Sequence, residues 1–287
     1  MTAAPSALQH GGFDSHAHVF GAACPFAPDA LYIPHPTQRG TAAEFRAVLE
    51  SHGLTHALIV GAQPYMHDNR CLLDALAASD GRWKGIALLR PGAGDREFDA
   101  LADAGVIGIR FNLTTFGDRE LTEPGADRLL AQVRERGWFL QIHCEHDELA
   151  GALPALRRAD VRLMIDHFGR PEVARGLDQP GFAALLELGR SGPHVVKLSG
   201  PFRSSRTGYP YCDVDLFIAA AIEAFTLDRC VWGSDWPYVH IDARMDYGPP
   251  LHCLRRWLPE AADRRKVLLD TPARLFGFSD TPGVAGN

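Results

Sequence analysis

Two histidines, His16 and His18, stand one residue apart in the segment FDSHAHVF, which otherwise has the composition of a buried β-strand. Imidazole nitrogens bind divalent metal ions and also polarise carbonyl groups by hydrogen bonding. Because strand side chains alternate between two faces, the pattern predicts Asp14, His16, His18 and Phe20 on one face and Phe13, Ser15, Ala17 and Val19 on the other. A pattern of two residues is common, so further members of a site are needed to give it meaning.

Further candidates follow the ends of later β-rich runs. The segment IDHFGRP carries His167 and Arg170, GSDWPY carries Asp235, and FLQIHCE carries His143. A core histidine satisfied by a neighbour explains any one of these positions but explains the series poorly. The remaining candidates are Arg110 and Asn112, on one face of GIRFNL, and Arg203, after KLSG.

Two kinds of site can be built from these residue types. In the first, His16, His18, His143 and Asp235 hold one divalent ion, zinc or manganese, with an open position where a bound water becomes a nucleophile near neutral pH. In the second, histidines polarise a substrate carbonyl and Asp235 activates water as a general base. Both kinds predict attack on an activated carbonyl, and His167 remains as a further catalytic group.

Strand-like and helix-like segments alternate along the chain and must position these residues. The β-rich runs are predicted at 13–20, 56–62, 84–90, 108–113, 139–145, 162–168, 194–200 and 229–236. Helix-period segments separate them, and Thr41 with Glu44 predicts a capping box at the start of the first helix. About eight such units predict an α/β protein with a parallel (β/α)8 barrel, whose active site lies at the carboxyl ends of the strands.

We expect one slightly elaborated barrel domain over residues 1–287, with a core at about 13–278. Two helices are expected after the last strand, near 250–258 and 261–276. No composition break or linker divides the chain, and its length is usual for a barrel of this type.

Composition excludes several classes of function. The formal net charge is −6 and basic residues are scattered, which argues against a nucleic-acid partner. No apolar run approaches the roughly 20 residues that span a bilayer, and the first residues lack the pattern of a secretory signal. The six cysteines show no CxxC spacing. We expect a cytoplasmic protein with reduced thiols and no membrane partner, and homo-oligomerisation stays open.

The segments DSHAHVF, IDHFGRP, VKLSG and WGSDWP, in this order, resemble the amidohydrolase superfamily, in the branch of 2-pyrone-4,6-dicarboxylate lactonases and related sugar-lactone enzymes. The resemblance covers nearly the whole chain and implies the same TIM barrel. It implies His16, His18, His167 and Asp235 as the catalytic set, in a site that works without metal in the pyrone lactonases. It also implies substrate contacts from Arg110, Arg170 and Arg203 to carboxylates and from Tyr32 in the first loop, with Asn112 beside Arg110.

Two departures from the family pattern leave metal use open. The fourth predicted strand has no lysine for a bridging carbamate, so a two-metal site is not expected. His143, however, resembles the mononuclear metal-dependent branches, including decarboxylases. The cofactor expectation is therefore none or one divalent metal ion, zinc or manganese.

The predicted function is hydrolysis of the lactone ester of a small carboxylated ring compound, 2-pyrone-4,6-dicarboxylate or a related lactone. Two alternatives use the same scaffold: a mononuclear-metal decarboxylase of a ring-cleavage acid, and a sugar-lactone isomerase. A third alternative is a protein that binds a small acid without turning it over. The retained Asp235 argues against simple binding, because a binding protein has no use for a general base.

Overall fold

A computed structural model of the chain describes residues 11–21, 23–243 and 245–278. Eight parallel strands pair in the order of the chain. They are β1 Gly12–Ala17, β2 Leu54–Val60, β3 Trp83–Ala87, β4 Val106–Asn112, β5 Phe139–His143, β6 Arg162–Ile165, β7 Val195–Ser199 and β8 Cys230–Gly233. The expected domain limits, 1 and 287, lie outside the described residues.

Backbone hydrogen bonds join the last strand to the first. The Asp235 N–H donates to His16 O and the His18 N–H donates to Trp236 O, each at 2.8 Å. The sheet therefore closes, and the predicted (β/α)8 barrel is confirmed.

Helices surround the barrel and follow its strands. They are α1 Ala42–Ser51, α2 Arg70–Ala77, α3 Asp95–Asp103, α4 Leu113–Phe116, α5 Arg119–Thr122, α6 Ala126–Glu135, α7 Glu148–Ala159, α8 Pro180–Ser191, α9 Pro201–Ser204, α10 Asp215–Phe225, α11 Gly248–Trp257, α12 Ala261–Arg265 and α13 Thr271–Phe276. The capping box predicted for α1 is confirmed, since the Thr41 hydroxyl accepts from the Glu44 N–H and the Glu44 carboxylate accepts from the Thr41 N–H. Within the described ranges, no helix is long and apolar enough to cross a membrane.

The lower half of the barrel interior is apolar, and we call it the barrel floor. Its buried side chains are Phe13, Leu58, Val60, Ile86, Phe139, Met164, Val195 and Val231, closed below by Leu269, Ala273 and Phe276. Burial of this much apolar surface stabilises the fold, because each large side chain removed from water contributes about 1.5–3 kcal/mol. The next inward-facing position on several of these strands is polar.

The expected alternation in FDSHAHVF is wrong at its first residue. Phe13 lies in the barrel floor, and His16, three positions later, also points into the barrel, where its ring meets Lys197. The reason is a β-bulge: β1 has one more residue than β2 between Asp14 and Ala17. The bulge places two residues of opposite expected faces on the same side.

The same bulge separates Asp14 from the histidines with which it was expected to share a face. The Asp14 carboxylate accepts hydrogen bonds from the Tyr247 hydroxyl at 2.8 Å and the Ser234 N–H at 2.9 Å. Close approach of β1 to β8 also requires Gly233, because a Cβ there would lie 2.6 Å from the Cβ of His16. Asp14 thus fixes the junction of the two strands and is not part of the cavity wall.

Candidate active site

A cavity of about 480 Å³ opens at the carboxyl ends of the strands. It is lined by nine of the ten residues that the sequence singles out: His18, Tyr32, Arg110, Asn112, His143, His167, Arg170, Arg203 and Asp235. The tenth, His16, is fully buried and lies against His18 and Asp235. The structure therefore brings all the candidates to one place, where active sites of this fold occur.

Three imidazole rings converge on one carboxylate at the base of this cavity. Asp235 Oδ1 lies 3.6 Å from His16 Nε2, 3.8 Å from His18 Nε2 and 3.8 Å from His167 Nε2. The Nε2 atoms of His16 and His18 are 3.3 Å apart. These four side chains, the histidine–aspartate cluster, surround a single point at which a reacting atom or an ion can sit.

Backbone geometry aims several of these side chains. His167, Arg170 and Asp235 have φ values of 48°, 43° and 64°, in the left-handed region that residues other than glycine rarely adopt. Such conformations cost about 1–3 kcal/mol each and occur disproportionately at functional sites. Gly200 gives room beside them, because a Cβ there would lie 2.9 Å from His167 Nδ1.

Burial and charge fix the protonation of the histidine–aspartate cluster. Burial lowers the pKa of His18 to about 3 and lowers those of His16 and His167 as well, so all three rings are neutral at pH 7. Burial by itself raises the pKa of Asp235, but interactions led by the Arg203 guanidinium outweigh it and hold that pKa below its ordinary value. Arg203 Nε–H donates to Asp235 Oδ2, and its Nη2 donates to Val239 O at 3.1 Å.

A second set of polar and charged side chains lies beneath the cavity, and we call it the barrel-centre network: Arg110, Gln141, Asp166, Lys197 and His16. Asp166 Oδ2 accepts from Arg110 Nε and from Gln141 Nε2, each at 3.1 Å. Lys197 Nζ donates to Gln141 Oε1 at 2.7 Å. Burial lowers the pKa of Lys197 to about 8, partly offset by Asp166, so the ammonium is mostly protonated at pH 7.

Sequence reasoning left Lys197 unplaced and did not select Gln141 or Asp166. Alternation was sufficient to find Gln141, which stands two positions before His143 on β5. Asp166 was hidden, because alternation assigns adjacent residues to opposite faces. The left-handed φ of His167 breaks that rule and turns both Asp166 and His167 into the barrel.

Each predicted substrate-binding arginine already contacts a carboxylate. Arg110 pairs with Asp166, Arg203 pairs with Asp235, and Arg170 Nη2 lies 2.8 Å from Glu145 Oε2. The Nε of Arg170 is buried without a hydrogen-bond partner in the described part of the chain. Sequence reasoning missed Glu145, which lines the cavity and offsets one of its three positive charges.

The remaining predicted contacts lie at the cavity wall. Tyr32 packs edge-on against His240, with ring centroids 4.0 Å apart. Asn112 caps α4, since its Oδ1 accepts from the Thr115 N–H at 3.1 Å, and its Nδ2 lies 3.5 Å from Gln63 Oε1. Both side chains are therefore held in place by protein contacts before any ligand arrives.

Within the part of the chain that the structure describes, two overlapping groups of side chains could hold a metal ion: His16, His167 and Asp235, and His143, Asp166 and His167. The sequence placed His143 with His16, His18 and Asp235. The structure instead groups it with Asp166, whose Oδ2 lies 3.9 Å from His143 Nδ1, and with Arg170, whose Nη1 lies 3.4 Å from Nε2.

The donor spacing of the histidine–aspartate cluster allows a direct test of fit. Tetrahedral zinc has nitrogen and oxygen ligands at about 2.0–2.2 Å, which separates the ligand atoms by roughly 3.3–3.6 Å. The nearest donors here, on His16, His18 and Asp235, are 3.3 to 3.8 Å apart. In type and spacing, the residues fit a divalent ion.

Comparison with known proteins shows the family of this chain. A family described as Amidohydrolase matches residues 13–278. The chain is 34% identical to a 4-sulfomuconolactone hydrolase of Rhizobium radiobacter and 32% identical to a 2-pyrone-4,6-dicarboxylate hydrolase of Comamonas testosteroni, covering 94% of this chain and 91% of each relative. The fold is also similar to a crystal structure of a probable 2-pyrone-4,6-dicarboxylic acid hydrolase from Acinetobacter baumannii with citric acid bound. The two superpose with a TM-score of 0.85 at 27% sequence identity, and the match covers 93% of this chain and 100% of that one. The chain belongs to the amidohydrolase family.

Proposed function

We propose that this protein hydrolyses the lactone ester of a small carboxylated ring compound, 2-pyrone-4,6-dicarboxylate or a related lactone. The observation that carries the proposal is the ionised Asp235 among three neutral imidazoles, below a cavity that three arginines line. The relatives named for hydrolysis of 4-sulfomuconolactone and 2-pyrone-4,6-dicarboxylate support the substrate class. So does the citric acid, a polycarboxylate, held by the related crystal structure.

In the proposed reaction the lactone carbonyl oxygen lies against ring N–H groups of the histidine–aspartate cluster, which His16 and His167 can supply because His18 carries its proton on Nδ1. Hydrogen bonding there stabilises the negative charge that develops on this oxygen. Asp235 accepts a proton from water as the water oxygen bonds to the carbonyl carbon. The ring C–O bond then breaks, and the proton passes from Asp235 to the leaving oxygen, giving the open-chain acid.

Arg203 has two parts in this proposal. In the free protein its guanidinium donates to Asp235 and keeps the carboxylate ionised. A substrate carboxylate that draws the guanidinium toward itself weakens this pairing and makes Asp235 a stronger base. Substrate binding and activation of the base are therefore coupled through one side chain.

Arg110 and Arg170 supply the other cationic contacts for a polyanionic substrate. A guanidinium binds a carboxylate through two parallel hydrogen bonds, and the buried Nε–H of Arg170 has no hydrogen-bond partner among the described residues. Tyr32 and Asn112 complete the wall against which the ring packs.

A divalent ion, zinc or manganese, would be held by His16, His18 and Asp235, with His167 beside them. When bound, it would supply Lewis-acid polarisation of the carbonyl and of a coordinated water. With or without it, the arginines orient the substrate carboxylates.

The experiment is turnover of a panel of carboxylated lactones in ¹⁸O-labelled water, with Asp235→Asn beside the wild type. Hydrolysis places one solvent oxygen in the new carboxylate, and we expect Asp235→Asn to reduce kcat by about 10²–10⁴-fold. Asp228→Asn, an exposed aspartate paired with Lys266, is the matched control and retains the wild-type rate. Full turnover by Asp235→Asn contradicts the proposal. Release of carbon dioxide, or an isomer without label, supports the decarboxylase or isomerase alternatives.

A further inference from the structure

The ring nitrogen Nδ1 of His16 has two charged neighbours that make opposite demands on it. Lys197 Nζ, 3.0 Å away, only donates hydrogen bonds and so requires a lone pair on Nδ1. Asp166 Oδ1, 3.1 Å away, only accepts and so requires a proton on Nδ1. The contact with Lys197 is a hydrogen bond, whereas Asp166 Oδ1 has no hydrogen-bond partner among the described residues and forms an ion pair with Lys197 Nζ at 3.4 Å.

The neighbouring ring decides between these demands. His18 Nδ1 lies 2.9 Å from the Val60 carbonyl oxygen, which can only accept, so His18 carries its proton on Nδ1 and a lone pair on Nε2. That lone pair lies 3.3 Å from His16 Nε2. A proton on His16 Nε2 then satisfies both rings, and the donors run in one direction from Lys197 through His16 and His18 to Val60 O.

We propose that Lys197 is a positioning residue that holds His16 as the tautomer protonated on Nε2, and that Asp166 is the competing partner that favours the tautomer protonated on Nδ1. Lys197, Asp166 and His16 are fully buried, so no solvent competes for these contacts. The wild-type ring therefore directs its Nε2–H toward His18 Nε2, 3.3 Å away at the centre of the histidine–aspartate cluster. That this N–H meets a lactone carbonyl rests on the proposed function, whereas the tautomer itself does not.

The tautomer of His16 also decides whether its Nε2 can bind a metal ion. A nitrogen that carries a proton cannot ligate an ion, so an ion bound to His16 Nε2 requires the proton on Nδ1. A histidine ligand usually donates its other N–H to a carboxylate, and Asp166 is placed to accept it. Lys197 thus opposes a divalent ion in the histidine–aspartate cluster and Asp166 favours one.

The first test reads the tautomer in the wild-type protein. Protein labelled with ¹⁵N at the histidine rings is freed of metal with a chelator, and long-range ¹H–¹⁵N correlations report which ring nitrogen is protonated. Signals are assigned by their loss in His16→Gln and His18→Gln. We expect His16 protonated on Nε2 and His18, the internal reference, on Nδ1. A His16 ring protonated on Nδ1 overturns the proposal.

The second test uses two variants whose effects should differ in sign. Zinc affinity is measured by competition with a fluorescent chelator, in wild type, Lys197→Met and Asp166→Asn, without any substrate. We expect about 10–100-fold tighter zinc binding in Lys197→Met and about 10–100-fold weaker binding in Asp166→Asn, the range for partners of metal-bound histidines. Loss of a nearby positive or negative charge by itself predicts the same two signs, so the protonated ring nitrogen is also determined in both metal-free variants. We expect His16 to shift toward protonation on Nδ1 in Lys197→Met and to stay protonated on Nε2 in Asp166→Asn. An unshifted His16 tautomer, or unchanged zinc affinity, in Lys197→Met contradicts the proposal. The tautomer measurement decides the question if either variant fails to fold, and neither test depends on lactone turnover.

Discussion

The same strands build two different regions of the barrel interior, and the difference lies two residues along each strand. In the barrel floor, Met164 and Val195 pack against other apolar side chains. Two positions later, Asp166 and Lys197 belong to the barrel-centre network, which supports the cavity. Because every second side chain of a strand faces the same side, one strand can place an apolar side chain in the barrel floor and, two residues later, a polar side chain nearer the cavity. Stability and activity should therefore respond to different substitutions.

The largest effect is expected from a cavity in the floor. Phe13→Ala removes a fully buried ring that stacks on His56, and we expect a loss of about 3–5 kcal/mol in the free energy of unfolding. Below its unfolding transition the variant should keep the wild-type kcat. Urea unfolding and steady-state kinetics check both parts, with Leu216→Ala, at a 70% exposed position, as the control. A folded Phe13→Ala protein without turnover would break the separation between floor and cavity.

A smaller energetic effect, on activity instead of stability, is expected at Arg203. Arg203→Gln removes the cation paired with Asp235 and a substrate contact, and we expect kcat/KM to fall about 10²–10³-fold, equivalent to about 2.7–4 kcal/mol. Arg203→Lys keeps the positive charge but lacks the planar guanidinium, so its kcat/KM should lie between those of wild type and Arg203→Gln. Steady-state kinetics measure the series, and equal rates for Arg203→Gln and wild type would remove Arg203 from the proposed site.

Arg170 should affect binding more than the chemical step. Arg170→Gln removes one guanidinium from the cavity wall, and we expect KM to rise about 10–100-fold, or about 1.4–2.7 kcal/mol, with a smaller change in kcat. The matched control is Arg175→Gln, whose guanidinium pairs with Asp147 on the surface. An unchanged KM in Arg170→Gln would show that Arg170 stays paired with Glu145 and does not bind the substrate.

A further effect on stability, similar in size to the effect at Arg170, is expected at the edge of the cavity. Glu120 is half-buried and accepts from the Asn112 N–H at 2.7 Å, and burial raises its pKa from 4.5 to about 7. Because the folded state holds this proton more tightly than the unfolded state, the stability it contributes is complete below pH 4.5 and is lost as pH rises through 7.

Glu120→Gln stays neutral and should be more stable than wild type at pH 8 by about 1–3 kcal/mol, with the difference vanishing near pH 4.5. Urea unfolding at the two pH values measures it. Glu123→Gln, exposed close by, is the control and should change the free energy of unfolding by less than about 0.5 kcal/mol. A constant difference at both pH values would mean that the titration of Glu120 is not the cause.

Regular periodicity accounts for most of what the sequence could predict. The strand–helix alternation gave the barrel, the Thr41 capping box gave the start of α1, and the strand ends gave His167 and Asp235, which the structure places together. Each of these features is encoded by the residue pattern of one short segment and does not depend on distant partners.

Irregular backbone accounts for what the sequence could not predict. The bulge in β1 put Phe13 and His16 on one side, and the left-handed φ of His167 brought its ring inside beside Asp166. Lys197 was visible on β7, but its role depends on partners from β1 and β5 that only the closed barrel brings together. Neither the bulge nor the positive φ of His167 leaves a mark in residue type, so neither departure had a sequence signal.

The position of the HxH motif in the barrel depends on the extra residue that β1 has between Asp14 and Ala17. Because β2 in turn has one more residue than β1 between Gly12 and Phe13, removing one residue between Asp14 and Ala17 would shift the register against β2 and rotate either His16 or Phe13 out of the barrel. A designer who transfers the motif to another barrel must therefore transfer the irregular stretch 12–18 and its glycine partner on the last strand. A change of length here is also harsher than any single replacement, because it exchanges the inside and outside of a whole segment.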